Sequence, residues 1–140
     1  MKLLFLGDVM GRSGRAAVVA RLPTLRTAWA LDFVVVNGEN ATGGLGLSPE
    51  HAKALLGAGA DCITLGDHAF DQKEMTSFIE SEPRIIRALS YARAAPGRGA
   101  RVFDARGGRK VLVAQALGRR ARLAAGRGCR RQCLPFVARR

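Results

Sequence analysis

Three short apolar runs, each followed by a turn bearing an acid, restrict this chain to few folds. Residues 2–7 (Lys-Leu-Leu-Phe-Leu-Gly) lead to Asp8, and residues 32–37 (Asp-Phe-Val-Val-Val-Asn) lead to Gly38-Glu39-Asn40. Residues 61–65 (Asp-Cys-Ile-Thr-Leu) lead to Gly66-Asp67-His68. Runs of this length without polar alternation suit strands buried on both faces. Helical patterns lie between them. Val18, Leu22, Leu25 and Trp29 recur at spacings of four, three and four and so share one helical face. Pro23 is expected to kink or split that helix. Ser48-Pro49 opens a second helix as N-cap and first-turn proline, and Gly57 closes it. Asp71 with Glu74 reads as a capping box for a third helix, with Met75, Phe78 and Ile79 as its apolar face and Pro83 as its stop. Residues 101–105 and 110–117 read as strands around the turn Arg106-Gly107-Gly108-Arg109. This order implies an α/β layer architecture with a mostly parallel sheet.

A chain of 140 residues fits one domain with a real core, burying roughly 68% of its unfolded surface. No stretch is apolar for the length of a membrane span. The short apolar N-terminus meets a charge at once and shows no small-residue cleavage site, so no signal peptide is expected and the cytoplasm is the expected compartment. The net charge of +12 resembles a nucleic-acid footprint, but its placement argues otherwise. Residues 119–140 hold eight arginines and no acid, which leaves 15 basic against 11 acidic side chains in residues 1–118. The chain therefore divides into a body, 1–118, and a basic segment, 119–140, expected to be a disordered, non-native tail. The arginine, alanine, glycine and cysteine bias of that tail is what a GC-rich gene gives when read out of frame. The rival reading is a basic tail that holds nucleic-acid phosphates, the one route by which this chain would meet nucleic acid. Cys62 reads as a small core residue. Cys129 and Cys133, with no histidine near them, are too few for a structural zinc site.

Ligands of an open parallel sheet bind outside the carboxyl ends of its strands. Asp8, Glu39, Asp67 and His68 would gather there from distant positions. Clustered carboxylates repel one another unless a cation neutralises them. Hard oxygen ligands with an imidazole suit manganese, iron or zinc. Two such ions roughly 3.5–4 Å apart can clamp the attacking and leaving oxygens of a phosphoryl group. Each residue also has a plainer role. Asp8 could cap the next helix, Asn40 could support a left-handed turn, Asp67 could be a solvated loop acid, and His68 could bond to backbone. The coincidence on three successive strand ends favours a site. His51, in the first turn of the second helix, reads as surface. Gly7 to Gly14 is glycine-rich but fits neither the dinucleotide fingerprint nor a P-loop, which places other nucleotide-binding families last.

These residues also match a family. Residues 1 to about 118 resemble the YmdB-like branch of the calcineurin-type metallophosphoesterases. The motifs are Gly7-Asp8-Val9-Met10-Gly11 with Gly14-Arg15, and Asn37-Gly38-Glu39-Asn40-Ala41 with Gly44-Leu45-Gly46-Leu47. Gly59-Ala60-Asp61, then Ile63-Thr64-Leu65-Gly66-Asp67-His68 with Asp71, and finally Leu117-Gly118-Arg119 continue the match. The resemblance implies the N-terminal half of a four-layer αββα sandwich. It implies a centre of two divalent or trivalent metal ions, iron or manganese with zinc as the lesser option. It implies hydrolysis of phosphodiesters, with cyclic nucleotides as substrates. By position, Asp8 resembles a ligand of one metal, Glu39 the bridging carboxylate, and Asn40 a supporting or ligating residue. Asp67 stands where the family has an asparagine ligand of the second metal. His68 resembles the histidine that stabilises or protonates the leaving group. There are two departures. The acid at 67 adds a negative charge, which would tighten metal binding or change metal preference. The chain also holds only two histidines, His51 and His68, whereas the family takes three more metal-binding histidines from its C-terminal half. The expectation is a truncated chain with impaired or no activity. The alternatives are a separate polypeptide that completes the site, and a non-catalytic protein whose arginine-rich tail binds nucleic acid.

Overall fold

The structure, a computed structural model, describes residues 1–118 and the backbone of residues 133–139. It contains β1 (Leu3–Leu6), α1 (Gly11–Ala28), β2 (Phe33–Asn37), α2 (Pro49–Gly57), β3 (Cys62–Thr64), α3 (Met75–Ser81), β4 (Ile85–Ile86), β5 (Ala100–Ala105), β6 (Arg109–Leu117) and β7 (Cys133–Arg139). The first four strands form one parallel sheet in the order β1-β2-β3-β4, and the last three form an antiparallel sheet in the order β5-β6-β7.

Side-chain alternation along the parallel strands builds the layers. Val34 and Val36 of β2, Ile63 of β3 and Ile85 of β4 join the cluster that holds Leu22 of α1, Leu55 of α2 and Met75 and Ile79 of α3. The opposite face carries Phe33, Val35, Cys62 and Ile86, which pack with Val111 and Val113 of the antiparallel sheet. All three helices lie on one face because the strand order always steps in the same direction, and right-handed crossovers then fall on one side. The result is three layers, helices on a parallel sheet on an antiparallel sheet. This is the α/β class with a parallel sheet that the sequence implies. β2 is buried along its whole length, and burying a valine fully contributes about 1.5–3 kcal/mol. Burial on both faces is why its apolar run shows no polar alternation.

The elements depart from the sequence expectations at five places. Helix α1 runs unbroken through Pro23, with neighbouring Leu22 only 1% exposed against the sheet. Trp29, expected on the apolar face, is the C-cap residue and is half exposed. The capping box does not form: α3 begins at Met75 with Glu74 at the cap and no side-chain cap bond. The carboxylate of Asp71 is instead taken by His68 Nδ1 at 2.5 Å. β4 is an added strand of two residues, held on β3 by the registers Ile63–Ile85 and Thr64–Ile86. β7 is the fifth departure. Residues 133–139 pair with β6 from Leu117–Cys133 to Val111–Arg139, where no strand was expected. The expected disorder of residues 119–132 and 140 lies outside the described residues, as does any role for Cys129. Cys62 is fully buried, and that burial pushes its thiol pKa well up, with the nearby Asp61 charge adding to the shift. Among the described residues, no helix is long and apolar enough to cross a membrane.

The hairpin turn fits its sequence. Gly107 and Gly108 adopt φ of 76° and 71° in the connection between the paired residues Ala105 and Arg109, the left-handed conformation that glycine supplies freely. At the opposite end of the sheet from the site loops, Asp61 fixes the start of β3. Its carboxylate accepts from both terminal nitrogens of Arg26 at 2.8 and 3.0 Å and from the backbone N–H of Val34 at 2.8 Å.

Candidate active site

Three loops leave the carboxyl ends of β1, β2 and β3, which are neighbours in the sheet. Parallel pairing therefore carries Asp8, Glu39 with Asn40, and Asp67 with His68 to one edge, as the sequence predicts. Backbone bonds tie the loops together. Val9 N–H donates to Asn37 O at 3.0 Å, Gly11 N–H to Asn40 O at 2.9 Å, and Gly38 N–H to Thr64 O at 3.1 Å.

Asp8 is exposed and sits at φ 48°. A non-glycine residue in this left-handed region carries backbone strain, and such strain gathers at functional sites. Asn40 Nδ2 donates to Asp8 Oδ1 at 2.7 Å, so these two predicted residues are in direct contact. Asn40 thus holds one oxygen of the Asp8 carboxylate through its Nδ2. Glu39 is only 6% exposed, and the Asn37 amide reaches its Oε1 at 3.5 Å. Asp67 is half-buried. His68 Nδ1 faces Asp71 Oδ2, which orients the ring and leaves Nε2 as its other polar atom.

Two further contacts hold these loops. Gln72 Nε2 donates to Leu45 O at 2.7 Å, joining the loop after β2 to the loop after β3. Gly46 permits that approach. Its φ is 77°, and a Cβ there would lie 3.1 Å from His68 O and 3.2 Å from Gln72 N. Tyr91 does comparable work from the far side. Its hydroxyl reaches Asp67 O at 2.9 Å and Gly66 O at 3.2 Å, and its ring meets Phe70 edge-on at 5.2 Å. The sequence reading missed Tyr91 because it lies 24 residues from Asp67 and carries no motif.

His51 departs from its reading as surface. It is half-buried, with Nδ1 at 2.7 Å from Thr42 Oγ1. Thr42 Oγ1 also accepts from Ser48 N–H at 2.8 Å. Burial, aided by the Arg15 charge, holds the His51 pKa below the usual histidine value.

The donor chemistry at this edge suits hard cations, but the grouping of the donors does not. Among the described residues, no three His, Cys, Asp or Glu side chains are grouped so as to hold a metal ion. The described residues therefore do not fit a complete dinuclear centre.

Comparison with known proteins places this edge in context. The model of the YmdB-like protein family matches residues 4–126, running past the body boundary at 118. A 2',3'-cyclic-nucleotide 2'-phosphodiesterase of Bacillus subtilis is 38% identical over 113 residues, covering 81% of this chain and 43% of that protein. A crystal structure of a hypothetical protein from Thermus thermophilus superposes with TM-score 0.74 at 41% identity, covering 80% of this chain and 43% of the other. A phosphatase structure from Mycoplasma pneumoniae superposes with TM-score 0.67 at 37% identity, covering 74% and 38%. This chain thus spans less than half the length of the relatives it matches.

Proposed function

Because this chain belongs to the YmdB-like protein family, we propose that it derives from a metal-dependent phosphodiesterase acting on cyclic nucleotides and that its own residues supply only part of the catalytic site. In this reading Asp8, Glu39, Asn40 and Asp67 are the oxygen donors that the parallel-sheet edge contributes to a centre of two iron or manganese ions. His68 exchanges a proton with the leaving group through Nε2, with Asp71 holding the tautomer. Tyr91 and Gln72 are positioning residues that fix the loop carrying Asp67 and His68.

The observation that carries the proposal is the mismatch between the donors at that edge and their grouping. Acids or amides stand on three adjoining strand ends, one of them strained, yet the described residues close no metal site. The chain holds two histidines, His51 and His68, and spans 43% of the Bacillus subtilis relative, which supports a site that these residues fill only in part. The chain by itself is therefore expected to turn over phosphodiesters slowly or not at all.

Turnover of the purified chain with manganese, on a 2',3'-cyclic nucleotide and on a chromogenic phosphodiester, tests this. The Bacillus subtilis relative serves as the reference. Losing metal ligands should cost more than the ~10–100-fold that follows loss of a supporting residue. Turnover within tenfold of the reference would refute the incomplete site.

A further inference from the structure

A second charged feature lies on the flank of β4, apart from the strand-end loops. A cavity of about 380 Å³ opens between α3, β4 and residues 93–98. Arg93, Arg98 and Arg101 all line it. None of its lining residues belongs to the loops that carry Asp8, Glu39 or Asp67.

Among the described residues, several arginines have acidic partners. Arg26 pairs with Asp61, Arg84 with Glu82, and Arg109 with Asp32. Among the described residues, the side chains of Arg93, Arg98 and Arg101 take part in no salt bridge or hydrogen bond. No aspartate or glutamate follows Asp104 in the sequence, so the rest of the chain offers these arginines no acidic side chain. Among the described residues, Glu80 is the one acid lining the cavity. Its Oε1 accepts from Gly97 N–H at 2.6 Å, so its carboxylate holds the loop.

The frame around the cavity is fixed. Arg87, only 6% exposed, donates to the carbonyls of Pro96 at 3.1 Å, Ala88 at 2.9 Å and Ala95 at 3.3 Å. Its own N–H donates to Arg98 O at 3.0 Å. At Gly97 a Cβ would come within 2.7 Å of Ile79 Cδ1, so the loop seats directly on α3. The chain thus invests a buried guanidinium in shaping the loop that presents two of the three unpaired ones.

We propose that this cavity is a binding site for a phosphate group, carried by a small phosphorylated molecule of mononucleotide size. Guanidinium groups match phosphate oxygens in paired, charge-assisted hydrogen bonds. The three arginines are exposed and like-charged, so an anion between them can be shared by their guanidinium groups. The volume falls at the lower end of the ~300–1,000 Å³ typical of small-molecule pockets and exceeds what one free phosphate fills.

Titration of the full ¹⁵N-labelled chain with inorganic phosphate and with AMP, at constant chloride ionic strength, tests the site. The arginine Nε–H signals of residues 93, 98 and 101 should shift and saturate, with AMP the tighter ligand. The double substitution Arg98→Gln and Arg101→Gln should weaken binding about tenfold or more, the loss expected for one charge-assisted hydrogen bond. Arg93→Gln alone, on the exposed loop, should weaken it in the same direction. Arg130→Gln with Arg131→Gln should leave it unchanged, which separates the cavity from the basic terminal segment. Phosphate binding as tight as AMP would still support the site, with free phosphate as its ligand. Affinity unaffected at Arg98 and Arg101, or lost at Arg130 and Arg131, would overturn the proposal. So would the absence of a saturable shift at the three arginines.

Discussion

Replacing Gln115 with methionine should stabilise this protein. Gln115 lies on β6 on the same face as Val111 and Val113, which pack between the sheets, and it is fully buried. Its backbone is paired, with its N–H donating to Gly99 O at 3.0 Å and its carbonyl accepting from Leu89 N–H at 2.7 Å. Among the described residues, its side-chain amide has no partner at either Oε1 or Nε2. Burying an amide without compensation costs about 1–3 kcal/mol by protein mutational data. Methionine has similar length and volume, no strong polar atom and enough flexibility to fill the same space. The substitution should therefore recover at least ~1 kcal/mol, with the upper end near 3. For a chain of this size that corresponds to a rise in Tm of roughly 3–5 °C per kcal/mol. Urea denaturation of both proteins gives the free-energy difference, and an unchanged m-value shows that the compared states are the same. A destabilised methionine variant would show that the amide has a bonded partner in solution and that the inter-sheet packing described above is wrong at this position.

Asp61→Ala should destabilise the fold by roughly 2–3 kcal/mol in chemical denaturation. Most of that comes from the Val34 N–H losing its acceptor, and less from the half-exposed Arg26 pair. Arg26→Ala, which leaves the Val34 bond intact, should cost about 1 kcal/mol or less. Stability should also depend on pH through His51. Its pKa is lowered in the fold, chiefly by burial, so the unfolded chain binds the proton more readily. The contribution is complete above the unfolded histidine value of about 6.5 and is lost as pH falls below it. Urea midpoints measured between about pH 7.5 and about pH 5 should fall less steeply in His51→Gln than in the parent.

Much of this architecture was legible because burial on both faces leaves a simple mark. β1, β2 and β3 are apolar runs bounded by glycine or asparagine, and the hairpin of β5 and β6 is announced by Gly107-Gly108. The remainder was not legible for physical reasons. β4 is two isoleucines after a proline, too short for any period, and it exists because β3 offers an open edge. Pro23 obeys its local rule less than the packing of the helix around it. Asp71 and Glu74 satisfy a capping pattern, but the imidazole of His68 competes for the carboxylate and wins. At the candidate site the strand-end acids could be placed from topology alone. The contacts of Tyr91 and of Gln72 with Leu45 join loops 24 to 27 residues apart, and no local pattern encodes them.

Manganese binding to the intact chain, followed by calorimetry and electron paramagnetic resonance, bears most directly on an incomplete site. The account predicts weak binding and no exchange-coupled pair of ions. A stoichiometry of two tightly held manganese ions per chain, with the spectrum of a coupled pair, would contradict it.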